Sequence, residues 1–225
     1  MFSKVISGND PARTTRFHTE QNERVDLAEL IVDLPKCLYH KIFFNKGKRR
    51  ASPWWPTRVI PKVEAFLKPS HDVIEYGSGS STIWLARRAR SVVSMEENQT
   101  WLEMTRARIS REGIENAQIH WGEGPSYYTP PKETGPFDLA IVDGAYRWKC
   151  IETVLPKMKP GGMIYLDNAD SDKDFRLYDN AKPVRRAQSL MEDYAKTHQG
   201  ARLEKVKSII DGELFAGEGW LLHLP

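Results

Sequence analysis

Five short apolar runs recur between residues 72 and 167, and amphipathic segments separate most of them. The runs are "DVIEY" (72–76), "SVVSM" (91–95), "AQIHW" (117–121), "FDLAIVD" (137–143) and "GMIYLD" (162–167). Their length suits strands, and residues 81–90, 100–111 and 148–158 have the apolar spacing of helices. Residues 122–136 are rich in Gly and Pro and read as a loop. Strand and helix in alternation predict a parallel sheet with helices on both faces. Two helical patterns precede this core. Residues 27–44 form the first, with Pro35 as a break. Residues 57–69 form the second, with Val59, Val63, Phe66 and Leu67 on one face and Pro69 as its end. A helix over 183–198 follows the core. The chain closes with two strand-like runs around Asp211–Gly212, which read as an antiparallel hairpin added to the sheet. Residues 1–26 are polar and read as loosely ordered at their start.

Composition narrows the picture only modestly. The chain has 225 residues, 40% of them apolar and 28% charged, which fits one globular core. We divide it into an N-terminal extension with a helix and a basic loop (residues 1–56) and a main domain (residues 57–225). A formal net charge of +3 is too weak to imply a nucleic-acid partner. Two cysteines, Cys37 and Cys150, are too few for a disulfide scaffold, so a reduced, cytoplasmic setting is expected. The first residues lack the apolar run of a signal peptide, and no stretch approaches the ~18 apolar residues of a membrane span. Nothing in the pattern sets the oligomeric state.

The candidate chemistry begins at "DVIEYGSGSST". Strand, glycine turn and helix follow one another, as in sheets that bind a nucleotide beyond their strand ends. The dinucleotide fingerprint needs a third glycine, and Thr82 stands at that place. Glu75 also argues against a pyrophosphate. Gly77 and Gly79, with Ser78 and Ser81, allow the backbone to approach a ligand closely. Glu96 ends the next strand at the spacing of a ribose-binding acid. A ligand with ribose, adenine and a cationic end meets these demands, and S-adenosylmethionine is such a ligand. Glu75 would offset its charge, unless it is a surface residue paired with Arg87 or Arg88.

At these residues the chain resembles the class I, Rossmann-like S-adenosylmethionine-dependent methyltransferases. "VIEYGSGSST" matches their first motif, Glu96 the acid after the second strand, "FDLAIVDG" the fourth strand and "MKPGGMIYLDN" the fifth. The resemblance covers roughly residues 57–225. It implies a doubly wound, mostly parallel seven-stranded sheet with a C-terminal antiparallel hairpin, and an adenine site after the third strand at Glu123 and Gly124. "PWWP…EYGSGSST…VDGAYR" is also similar to small methyltransferases associated with polysaccharide building, which implies a glycan or other small-molecule acceptor. "VDGAYR" lacks the Asn/Asp-Pro-Pro-Tyr/Phe run that many N-methyltransferases carry there. The competing readings are an N-methyltransferase and a catalytically silent module that keeps the fold.

Asp143 closes the fourth strand, and Asp167 and Asn168 close the fifth. Asp143 could take a proton from an acceptor hydroxyl, besides touching the cofactor. Alternatively, Asp143, Asp167 and Asn168 could hold magnesium or manganese, an arrangement similar to that of cation-dependent catechol O-methyltransferases. Asp and Asn are also common turn residues. Arg147 is a further catalytic candidate, grouped with Tyr146, Trp148 and Lys149 as a cationic and aromatic edge for the acceptor. Trp54 and Trp55 either pack the N-terminal segment or line the pocket. "NKGKRR" could steer an anionic substrate.

Overall fold

The computed structural model describes residues 13–45, 52–171, 183–210 and 213–225. The strands are β1 (Asp72–Tyr76), β2 (Ser91–Glu96), β3 (Ala117–Trp121), β4 (Phe137–Val142), β5 (Met158–Leu166), β6 (Arg202–Ile209) and β7 (Ala216–His223). They form one sheet in the order β3-β2-β1-β4-β5-β7-β6. β1 to β5 are parallel, and β7 runs antiparallel to both β5 and β6. The expected doubly wound sheet with its C-terminal hairpin is therefore present. The turn at Asp211–Gly212 and the basic "NKGKRR" run, apart from Asn45, lie outside the described residues.

The helices are α1 (Leu27–Asn45), α2 (Val59–Phe66), α3 (Ser80–Ala86), α4 (Gln99–Arg111), α5 (Pro125–Tyr128), α6 (Arg147–Val154) and α7 (Pro183–Thr197). Two cores sandwich the sheet. Ile74, Tyr76, Val142, Ile151, Ile164 and Met191 pack on one face. Trp55, Val59, Val63, Trp84, Leu139 and Tyr165 pack on the other. Because consecutive strand residues face opposite sides, β1 supplies both cores: Ile74 and Tyr76 point one way and Val73 the other.

Several boundaries differ from the sequence reading. α1 runs through Pro35. The ring lies on the exposed side of the helix, so the carbonyl deprived of its donor meets solvent, and the helix continues. α2 ends at Phe66, before Pro69, because Leu67 is already extended. The loop after β3 contains the short helix α5. β5 begins at Met158, ahead of its two glycines. Residues 13–25 are anchored: Val25 packs with Ile209 and Ala216, and Glu20 N donates to Asp170 Oδ2 at 2.9 Å. No helix of the described residues is long and apolar enough to cross a membrane.

Candidate active site

β1 and β4 are neighbours whose following helices lie on opposite faces, so a crevice opens at their carboxyl ends. Gly77 and Gly144 meet there, backbone to backbone. Gly77 has φ +99°, and a Cβ on it would lie 3.1 Å from Gly144 Cα. A Cβ on Gly144 would collide with the Tyr127 hydroxyl. Gly79 is extended, and a side chain there would only touch the Trp101 indole, at 3.5 Å.

The acid inside the loop lies beneath it. Glu75 is fully buried, and its Oε2 accepts from Thr82 Oγ1 at 2.5 Å and from Ser94 Oγ at 2.9 Å. Thr82 Oγ1 also accepts from Gly79 N at 2.8 Å. Thr82 thus staples the loop to the strand, a task that the third glycine of a dinucleotide fingerprint could not perform. Arg87 and Arg88 pair with Glu112 and Glu64, leaving Glu75 to the loop. Glu75 Oε1 is buried without a hydrogen-bond partner. Burial pushes this carboxyl up to about 7.

That shift carries a sign. The folded chain holds the Glu75 proton more tightly than the unfolded chain, so stability falls as pH rises from about 4.5 to about 7, by at most about 3 kcal/mol. Melting temperatures at pH 5 and pH 8 should fall across this window in the unliganded protein. Glu75→Gln should remove most of the difference. An unchanged slope in the variant would assign the dependence elsewhere.

Glu96 is buried and clasps the same loop. Its Oε2 accepts from Ser78 N at 2.8 Å and Ser78 Oγ at 2.9 Å, and its Oε1 accepts from Asn98 N at 2.9 Å. Trp101, in the first turn of α4, donates its indole N–H to Ser78 O. Sequence reasoning missed Trp101. Ser81 is buried, and its hydroxyl helps to hold the Glu75 carboxyl down against the effect of burial. After β3, Glu123 is exposed and Gly124 has φ +55°. The tight contact falls instead at Gly122, where a Cβ would stand 2.5 Å from Ser126 O. The glycines of the loop, the orphaned Glu75 oxygen and the carboxylate at the end of β2 suit a cationic nucleoside.

Across the crevice, backbone bonds set two acids at adjacent strand ends: Asp143 N donates to Tyr76 O, and Asp167 N to Val142 O, each at 3.0 Å. Trp55 Nε1 donates to Asp143 Oδ2 at 3.1 Å, while its ring packs on Tyr165 at 4.8 Å between centroids. Trp55 is therefore both core and site, and Trp54 is exposed. The Tyr165 hydroxyl donates to Asp167 Oδ1. The two acids stand close enough for each to shift the other's carboxyl. Burial raises both, and the charge of Asp143 raises Asp167 further.

Arg147 opens α6 from inside the protein. Tyr146 before it adopts φ +50°, a left-handed conformation uncommon for a tyrosine, and this turns Arg147 inward. Arg147 Nη2 donates to Asn168 Oδ1 at 3.0 Å, and Arg147 Nε is buried without a partner. Asn168 is also left-handed, at φ +45°. Lys149 instead pairs with Glu152 on the helix surface, and Arg186 stacks on Trp148 at 3.5 Å.

These contacts test the expected cation site. Asn168 Oδ1 accepts from Arg147, Asp167 Oδ1 from Tyr165 and Asp143 Oδ2 from Trp55, and burial raises both carboxyls toward the neutral form. A hard divalent cation needs ionised, uncommitted oxygens. The donor set does not fit one, and a guanidinium already brings positive charge to the cluster.

Fold and site together define an α/β domain with a crevice at the strand ends, where a half-buried Asp143 stands beside a buried Asp167. A family profile described as a methyltransferase domain matches residues 74–169. The chain is 33% identical over 81 residues to a protein-L-isoaspartate O-methyltransferase of Rhodopseudomonas palustris, covering 35% of this chain and 36% of the relative. It is 31% identical over 120 residues to the enzyme of that name from Nitrobacter winogradskyi, covering 52% of each. The chain thus spans about a third to a half of the length of these curated relatives. Two solved structures share the fold. An O-methyltransferase from Bacillus cereus in complex with SAH has a TM-score of 0.61 at 17% identity, covering 88% of this chain and 97% of that one. The O-methyltransferase TomG of Streptomyces achromogenes, in complex with SAM, has a TM-score of 0.59 at 17% identity, covering 88% and 95%. Residues 74–169 are thus similar to a methyltransferase domain, and the sheet around them has the fold of these two O-methyltransferases.

Proposed function

We propose that this chain transfers a methyl group from S-adenosylmethionine to a hydroxyl of a small molecule or sugar, with Asp143 receiving the hydroxyl proton. The observation that carries the reading is Asp143 itself, held by the Trp55 indole at 3.1 Å and placed at the end of β4 beside the glycine contact of Gly77 and Gly144. A hydroxyl must lose its proton to become a good nucleophile, and a carboxylate raised by burial is a stronger base than a solvated one. When bound, the cofactor supplies an electrophilic methyl. Glu75, Gly77, Ser78, Gly79 and Ser81 would hold its amino-acid end, Glu96 its ribose, and Glu123 with Gly124 would border its adenine. Trp55 and Tyr165 fix the two acids in place. Arg147 lends the positive charge that steadies an oxyanion. Tyr146 and Trp148 offer the aromatic edge that a sugar ring packs against.

The curated relatives are named for methylating protein L-isoaspartate, and the solved neighbours for O-methylation, which supports an oxygen acceptor. The matched residues 74–169 end just beyond the acid pair, so the acceptor is not carried over from the relatives.

Titration calorimetry tests the cofactor. The wild type should bind S-adenosylmethionine and not NAD. Glu96→Ala should weaken binding by about 1.5–3 kcal/mol, roughly 10- to 150-fold. NAD binding without a response to S-adenosylmethionine would remove the proposal. A labelled-methyl screen over monosaccharides and phenols then tests the acceptor class.

A further inference from the structure

Helix α1 has three faces, and two have an evident purpose. Leu30 and Cys37 turn inward, packing with Val25 near Ile209 and Ala216, and Asp33 accepts from Arg58 Nε at 3.0 Å. Glu29, Lys36 and His40 form a polar strip. The remaining arc carries Leu27, Ile31, Val32, Leu38, Tyr39 and Ile42, at helical spacing and without a charge among them. These six are between 42% and 73% exposed. Of the nine large apolar residues most exposed among the described residues, six lie on this one stripe, so it is a patch and not scatter.

We propose that this stripe is the interface of a two-fold dimer, each copy of the chain covering the α1 of the other. The exposed area favours a second copy. The six side chains expose the equivalent of about three whole large side chains, roughly 600 Å² at about 200 Å² each. Two copies would bury about 1,200 Å², the lower end of stable interfaces, before any rim is counted. Glu29 pairs with Arg58 of its own chain at 3.1 Å, so the polar strip faces the body of the protomer and leaves the stripe as the outward face. An antiparallel pairing about an axis near Val32 brings the six apolar side chains of each copy together in the centre. This inference does not rest on the methyl-transfer reading.

Sedimentation equilibrium at ~1–100 µM should give a two-copy mass for the wild type, since mass action sets the dimer fraction. Ile31→Glu combined with Ile42→Glu should give a one-copy mass with an unchanged far-UV spectrum. Should that variant misfold, Val32→Cys serves independently. Cys37 and Cys150 are buried, so mild oxidation should link Val32→Cys into a covalent dimer, whereas Glu103→Cys on α4 should stay single. A one-copy wild-type mass throughout the range overturns the proposal, as does a dimer indifferent to the glutamates. So does a monomer that pellets with phosphatidylserine vesicles through these residues, which would assign the stripe to a lipid surface.

Discussion

Asp143→Asn is expected to lower turnover by roughly 10²–10⁴-fold, the usual contribution of a positioned general base. Cofactor affinity should change far less. The amide keeps the size of the carboxyl and can still accept from the Trp55 indole, which holds Oδ2 at 3.1 Å. It cannot accept the proton of an acceptor hydroxyl. Single-turnover methyl transfer, using the acceptor found in the screen, should be compared with calorimetric binding of S-adenosylmethionine. Equal losses in both would make Asp143 a cofactor ligand and leave the base unassigned. Trp55→Phe gives a graded companion. It removes a donor to the ionised carboxylate, so the carboxyl should rise further and the acidic limb of kcat/KM should move to higher pH. A purely structural tryptophan would lower stability and leave that limb in place.

What could be read from sequence follows the range of the interactions involved. β1 is Asp72–Tyr76 in both readings, because an apolar run ending at a glycine is a local signal. The order of strands and acids was legible for the same reason, since each acid ends its own strand. The partners of those acids were not. Trp55 reaches Asp143 across 88 positions, and no local pattern announces it. Gly144 escaped notice because its need for a missing side chain arises from Tyr127 and from the backbone of Gly77, both remote in sequence. The glycine after Asp143 was the available hint. Glu75 was read as offsetting the ligand's charge or as a surface partner of Arg87 or Arg88, yet alternation along β1 sends it beneath the loop, where Thr82 and Ser94 meet it. The expected metal site was a reasonable reading of three oxygen-bearing residues. What it could not show is that Arg147, Tyr165 and Trp55 each donate to one oxygen of that set.

Chelation should therefore leave this protein active, and Arg147→Ala should not. With EDTA and metal-stripped protein, methyl transfer is expected to match the untreated rate, and added magnesium or manganese should not raise it. Removing Arg147 takes a buried guanidinium from beside Asn168 and the acid pair, leaving those groups without their cation. Breaking a buried charged cluster costs about 3–5 kcal/mol. If half of that is felt in the transition state, kcat/KM falls by roughly 10- to 100-fold. Asp143 supplies a second readout. Arg147 lowers its carboxyl, so in Arg147→Ala that carboxyl should rise and the pH profile should shift upward. Arg147→Lys keeps the charge but loses the planar fork, so it should restore the pH profile more fully than the rate. The opposite pattern, activity abolished by EDTA and restored by manganese with Arg147→Ala nearly normal, would return Asp143, Asp167 and Asn168 to a metal.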